Sequence, residues 1–134
     1  HFGKRDRLGR LLVFMARVMK EHDRPDLKGI GIDENTALCI DAEGNGVVFT
    51  GSGGHAWLVT PQTLADAVAK DGPAAYRSFM ANRVRAGRPL DFPGWKVVKI
   101  GPESRLRLPQ FAVEDPTSED IIDVENGRIV LRAR

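Results

Sequence analysis

Asp33 and Glu34 stand side by side at the end of Gly29-Ile30-Gly31-Ile32, and Asn35-Thr36-Ala37-Leu38 follow them. The Gly/Ile run is strand-like. An acidic pair at its end is costly to bury unless a cation or hydrogen-bond donors meet it. The first ten residues, His1-Phe2-Gly3-Lys4-Arg5-Asp6-Arg7-Leu8-Gly9-Arg10, contain suitable partners. A neutral imidazole such as that of His1 can take a proton from a hydroxyl nucleophile and return it to the leaving group. A carboxylate such as Asp33 or Glu34 can orient that imidazole, as the third member of a nucleophilic triad does. Arg5, Arg7 and Arg10 offer guanidinium forks, which hold carboxylates bidentately. On a helix Arg7 and Arg10 share a face, being three positions apart. These are the components of an acyl-transfer site without its nucleophile.

Each component also has a plainer structural reading. Asp33 and Glu34 can flank a turn and face solvent, while Asn35 and Thr36 bond the local backbone. His1 can be a frayed terminus, and the arginines a solvated basic face. His22 falls in a polar helix end, and His55 follows Gly53-Gly54 as a turn residue. No pair of histidines has metal-ligand spacing, so neither a metal nor a cofactor is expected. Ser52-Gly53-Gly54 is too short for a phosphate loop, and there is no Gly-x-Ser-x-Gly elbow. Trp57, Trp95 and Phe79 read as core.

The elements that must position these groups belong to a chain of 134 residues, a length that suits one domain. At 42% hydrophobic and 28% charged, the composition is that of a globular protein. A net charge of +2 is too small to point to nucleic acid. No apolar run approaches the roughly 20 residues of a membrane helix, so no membrane partner is expected. The single cysteine, Cys39, leaves no internal disulfide, and its apolar neighbours predict a buried position.

Leu8, Leu11, Leu12, Met15, Val18 and Met19 follow helical spacing and predict a helix over about residues 4–22, ended by Pro25. Strands are predicted at 29–32 and 37–40. Asp41 to Gly46 reads as a turn that brings 47–49 back onto 38–40, with Asn45-Gly46 as the hairpin signal. A third strand covers 56–59. Two helical stretches follow Pro61, split at Gly72-Pro73 and closed by Gly87-Arg88-Pro89. Lys96–Ile100 reads as a strand, and the alternation of Arg105, Leu106, Arg107 and Leu108 as an exposed edge strand. Residues 121–131 around Asn126-Gly127 read as a closing hairpin. The class is α/β or α+β, with the sheet order open.

His-Phe-x-x-Arg-x-Arg-x-x-Arg followed by Gly-Ile-Gly-Ile-Asp-Glu-x-Thr-Ala resembles the cyanophycinase branch of the serine peptidases. Here the first motif is His1-Phe2, Arg5, Arg7 and Arg10, the second Gly29 to Ala37. Gly51-Ser52-Gly53 fits the family's usual continuation. The resemblance covers residues 1 to about 60 well and 94–110 loosely. Residues 61–93 stand apart from it as a helical insertion, and residues 111–134 are unplaced.

The resemblance implies an α/β fold, the C-terminal portion of a class I glutamine amidotransferase-like, flavodoxin-like three-layer sandwich. It implies a Ser-His-Glu hydrolase in which His1 is the catalytic histidine and Glu34 the triad acid. Asp33 and Thr36 then neighbour the site, and Arg5, Arg7 and Arg10 contact substrate. Family members release β-aspartyl-arginine dipeptides from cyanophycin, so the implied substrate is a cyanophycin-like polymer or peptide. The family's nucleophilic serine and oxyanion donors precede its histidine. The chain is therefore expected to be the C-terminal part of a longer protein, complemented by an upstream segment or partner chain that carries the serine. A sheet cut at residue 1 exposes an edge, so a partner chain, and a homo-oligomer, are expected. The open alternative is a non-catalytic module of the same fold that binds acidic polymer or peptide.

Overall fold

The computed structural model describes residues 7–132. Helix α1 (Arg7–His22) buries Leu12, Met15, Ala16 and Met19. Arg7, Arg10, Phe14 and Arg17 lie on its solvent side. The chain then builds β1 (Gly29–Ile32), β2 (Thr36–Ile40), β3 (Asn45–Thr50) and β4 (Ala56–Pro61). Helices α2 (Gln62–Asp71) and α3 (Pro73–Arg83) follow, then β5 (Phe92–Ile100), β6 (Arg105–Arg107), β7 (Ala112–Glu114), β8 (Ser118–Glu125) and β9 (Arg128–Leu131).

The strands form two sheets, one of five in the order β1-β4-β5-β8-β9 and one of four in the order β2-β3-β6-β7. Every pairing among the described strands is antiparallel. The two faces of the five-stranded sheet can be read from the register. Directly opposed residues point to the same side. Gly29, Val59 and Val97 are in register, and so are Pro61, Trp95 and Ile122. That face carries the helices: Val59, Trp95, Val97 and Ile122 share one core with Leu12, Met15, Met19, Leu64, Tyr76 and Met80. The other face carries Ile30, Leu58 and Val98 in register, and packs on the four-stranded sheet through Leu58, Val98, Ile100, Val48 and Leu106. The molecule is therefore α/β in three layers: helices, a five-stranded sheet and a four-stranded sheet.

Helix α1 lies close on β1. A Cβ at Gly29 would stand 2.5 Å from the Met15 sulfur and 3.3 Å from Leu11, so a larger residue here would have to displace those side chains. The helical segment predicted after Pro61 is present, and α2 and α3 divide at Gly72 as expected.

Four local expectations are corrected. Cys39 is exposed, because β2 is an edge strand and Cys39 alternates with Leu38, which faces the sheet–sheet core. Leu106 is fully buried and β6 pairs on both sides, with β3 and β7, so it is not an edge. Helix α3 ends at Arg83, before the Gly87-Arg88-Pro89 stop, because Val84 is extended and buried. Asn45 belongs to β3, and the preceding turn is held by Asp41, whose Oδ1 accepts from the backbone N–H of Glu43 (3.0 Å) and Asn45 (2.8 Å).

Candidate functional site

The end of β1 is a corner where β1, β2, β3 and β4 meet. Ile32 is the last β1 residue in register with β4, opposite Ala56. Asp33 continues the contact by other means: its N–H donates to the His55 carbonyl (3.0 Å), and its Oδ2 accepts from the His55 N–H (2.9 Å). Its Oδ1 accepts from the Trp57 indole N–H (3.3 Å). Asp33 is half-buried. Its carboxylate is solvated by the neighbouring strand, which meets the condition that burying an acid imposes.

Glu34 is treated differently. Its side chain is exposed. Its backbone is pinned, because the Glu34 carbonyl accepts from both the Thr36 hydroxyl and the Ser52 hydroxyl, each at 3.0 Å. Asn35 then turns the chain through the left-handed region at φ +53° and accepts the Gly51 N–H at 3.1 Å. Asn tolerates this conformation better than most residues. Thr36 and Thr50 share a hydroxyl–hydroxyl bond of 2.9 Å, and the Thr50 oxygen also accepts the N–H groups of Ser52 (3.3 Å) and Gly54 (2.9 Å). The result is a rigid polar knot that aims one carboxylate outward. Thr36 belongs to the knot, and its hydroxyl bonds to the Glu34 carbonyl and Thr50 are structural.

His55 stands beside this corner, at the entrance to β4. Its pKa is lowered, chiefly by desolvation and secondarily by the Lys99 charge, against opposing pulls from Asp33 and Glu103. The neutral imidazole is favoured there. Sequence reasoning placed His55 in a turn and missed its part in fixing Asp33. That part is played by its backbone, which no residue-type signal reports.

Arg7 and Arg10 are exposed on α1. His1 and Arg5 lie outside the described residues. Of the residues singled out from sequence, the structure brings Asp33, Glu34 and Thr36 together at one corner and sets Arg7 and Arg10 on the helix that covers β1. Among the described residues, no group of three His, Cys, Asp or Glu side chains is placed to hold a metal ion. No described helix is long and apolar enough to cross a membrane. No family model, curated protein or solved structure matches this chain.

Proposed function

We propose that this chain is the histidine- and glutamate-bearing part of a serine-type peptidase resembling cyanophycinase, acting on β-aspartyl-arginine peptides or a cyanophycin-like polymer. The observation that carries this reading is the division of labour at the strand end. Asp33 accepts from the His55 N–H and the Trp57 indole, and Glu34 sits on a pinned backbone with its side chain exposed. A triad acid has to be held that way, since its role is to fix an imidazole.

Two further features support it. Gly29 lies under Leu11 and Met15. The strand that leads to Asp33 and Glu34 therefore packs directly on the helix that carries Arg7 and Arg10. In addition, β1 pairs with β4 and with no other described strand, and it exposes Ile30 (37%) and Ile32 (43%) beside that open edge. An apolar open edge is where further strands of a glutamine amidotransferase-like sheet would add.

In the mechanism, Glu34 orients His1. His1 takes the proton of a serine hydroxyl supplied by an upstream segment or partner chain and gives it to the leaving amine. Arg5, Arg7 and Arg10 grip the carboxylates of the substrate. The test is hydrolysis of a cyanophycin-like polymer by the full-length protein. Release of β-aspartyl-arginine dipeptides is expected, with a loss of about a thousandfold or more in kcat for His1→Ala. Absence of dipeptide release would remove the reading.

A second reading, a non-catalytic module for acidic polymer, is favoured by one observation: Arg7, Arg10 and Arg17 line the exposed side of α1 around Phe14, which is 66% exposed. Binding of the polymer without hydrolysis would select it.

A further inference from the structure

The C-terminal half of α1 forms one wall of a groove whose other wall is the segment after α3. The groove has a volume of about 570 Å³, within the roughly 300–1,000 Å³ of small-molecule sites. Its apolar surfaces come from Val13, Ala16, Val84 and Leu90. Its charged lining is one-sided: Arg17, Lys20, Arg85 and Arg88 face a single carboxylate, Glu21.

The cations have little to satisfy them. Among the described residues, Arg17, Arg85 and Arg88 make no ion pair and no side-chain hydrogen bond. Lys20 donates through Nζ to the Val84 carbonyl (2.7 Å). That bond holds its ammonium at the rim and leaves its charge uncompensated, since a carbonyl is neutral. Like charges gathered around a partly enclosed cleft repel one another, and an anion relieves that repulsion.

The walls are fixed. The Tyr76 hydroxyl of α3 donates to the Met19 carbonyl of α1. Val84 and Leu90 are buried on either side of the arginine-bearing turn. A preformed groove binds with less ordering cost than one assembled around its ligand.

We propose that this groove binds a small organic or inorganic oxyanion of two or more negative charges, a polycarboxylate or a phosphate compound, with guanidinium groups on its oxygens and its non-polar part against Val13 and Leu90. Carboxylate and phosphate both suit a guanidinium fork. The site is built partly by the residues after α3 and is independent of the strand-end corner, so its fate does not depend on the peptidase reading.

The test is isothermal titration of the full-length protein at low ionic strength with citrate and, separately, with inorganic pyrophosphate. Saturable one-to-one binding of at least one probe is expected. Arg85→Gln with Arg88→Gln should weaken it about tenfold or more, the loss typical of a charge-assisted hydrogen bond. Arg17→Gln should weaken it as well. Arg128→Gln, on the exposed strand β9, should leave it unchanged. Tighter binding of pyrophosphate assigns phosphate chemistry, and tighter binding of citrate assigns carboxylate chemistry. Absence of saturable binding, or binding that the Arg85/Arg88 double variant leaves intact while circular dichroism shows it folded, would overturn the proposal.

Discussion

Two aspartates tie neighbouring strands of the five-stranded sheet by the same device. Asp33, just after β1, accepts the N–H of His55, just before β4, at 2.9 Å. Asp123, in β8, accepts the Gly94 N–H of β5 at 2.8 Å, where the β5–β8 register shifts between Phe92 and Trp95. Both carboxylates replace a ladder bond that irregular backbone cannot make. The surroundings differ. Asp123 has a cationic partner just past the end of β9, with Arg132 Nη2 at 2.5 Å from Oδ1 and Nε at 3.3 Å from Oδ2, and its neighbours Ile122 and Val124 are buried. Asp33 is followed by a residue whose carboxylate is turned outward from a knot of hydroxyl bonds. The Asp123 corner is complete as a structural device. The Asp33 corner performs the same structural service and is followed by an exposed acid on a pinned backbone. The proposed role of Glu34 rests on that difference.

The largest effect that would break the comparison lies at the Asp123 corner. Gly94 has φ +72°, and a Cβ there would meet the Thr63 hydroxyl at 1.6 Å. Left-handed strain and overpacking each cost about 1–3 kcal/mol, so Gly94→Ala should lose about 4 kcal/mol in denaturant unfolding. A change under about 1 kcal/mol would mean the bulge is not fixed as described. Next is Asp33→Ala, which leaves the His55 N–H and the Trp57 indole without this acceptor. Two partly buried donors predict a loss of about 2 kcal/mol by the same measurement.

The smallest effect is the pH response of the Asp123 pair. The carboxyl lies below its ordinary pKa of 3.8, first because of its hydrogen bond with Arg132. A depressed carboxyl gives stability that is present above the unfolded pKa and lost as pH falls through the folded one. Arg132 is about half exposed, so the contribution stays under about 1 kcal/mol. Between pH 5 and pH 2 the Tm of the wild type should therefore fall slightly more than that of Asp123→Asn. Parallel curves would remove Arg132 from the account.

Much of this arrangement was legible in the sequence where the signal is local. The Gly/Ile run is β1, the Gly72-Pro73 break divides α2 from α3, and Asn126-Gly127 joins β8 to β9. The predicted return of residues 47–49 onto 38–40 is present as the β2–β3 hairpin, one residue along: Leu38, Cys39 and Ile40 face Val48, Val47 and Gly46. Sheet order was not legible, because β1 pairs with β4 and β5 with β8 across intervening elements, and no local pattern encodes such partners. Arg-Leu-Arg in β6 reads as an edge because its outer residues are charged, yet Leu106 closes the sheet–sheet core. At the corner, Asp33 and Glu34 were both visible as candidates. Their different surroundings depend on donors from His55 and Trp57, so only the fold separates them.

That separation is also the most direct test. Hydrolysis of a cyanophycin-like polymer by the full-length protein is compared for wild type, Glu34→Gln and Asp33→Asn, with Tm recorded for each. The account predicts that Glu34→Gln lowers kcat by about a thousandfold or more at unchanged Tm, while Asp33→Asn lowers Tm. Full activity in Glu34→Gln, or a Tm loss in that variant as large as in Asp33→Asn, would contradict it.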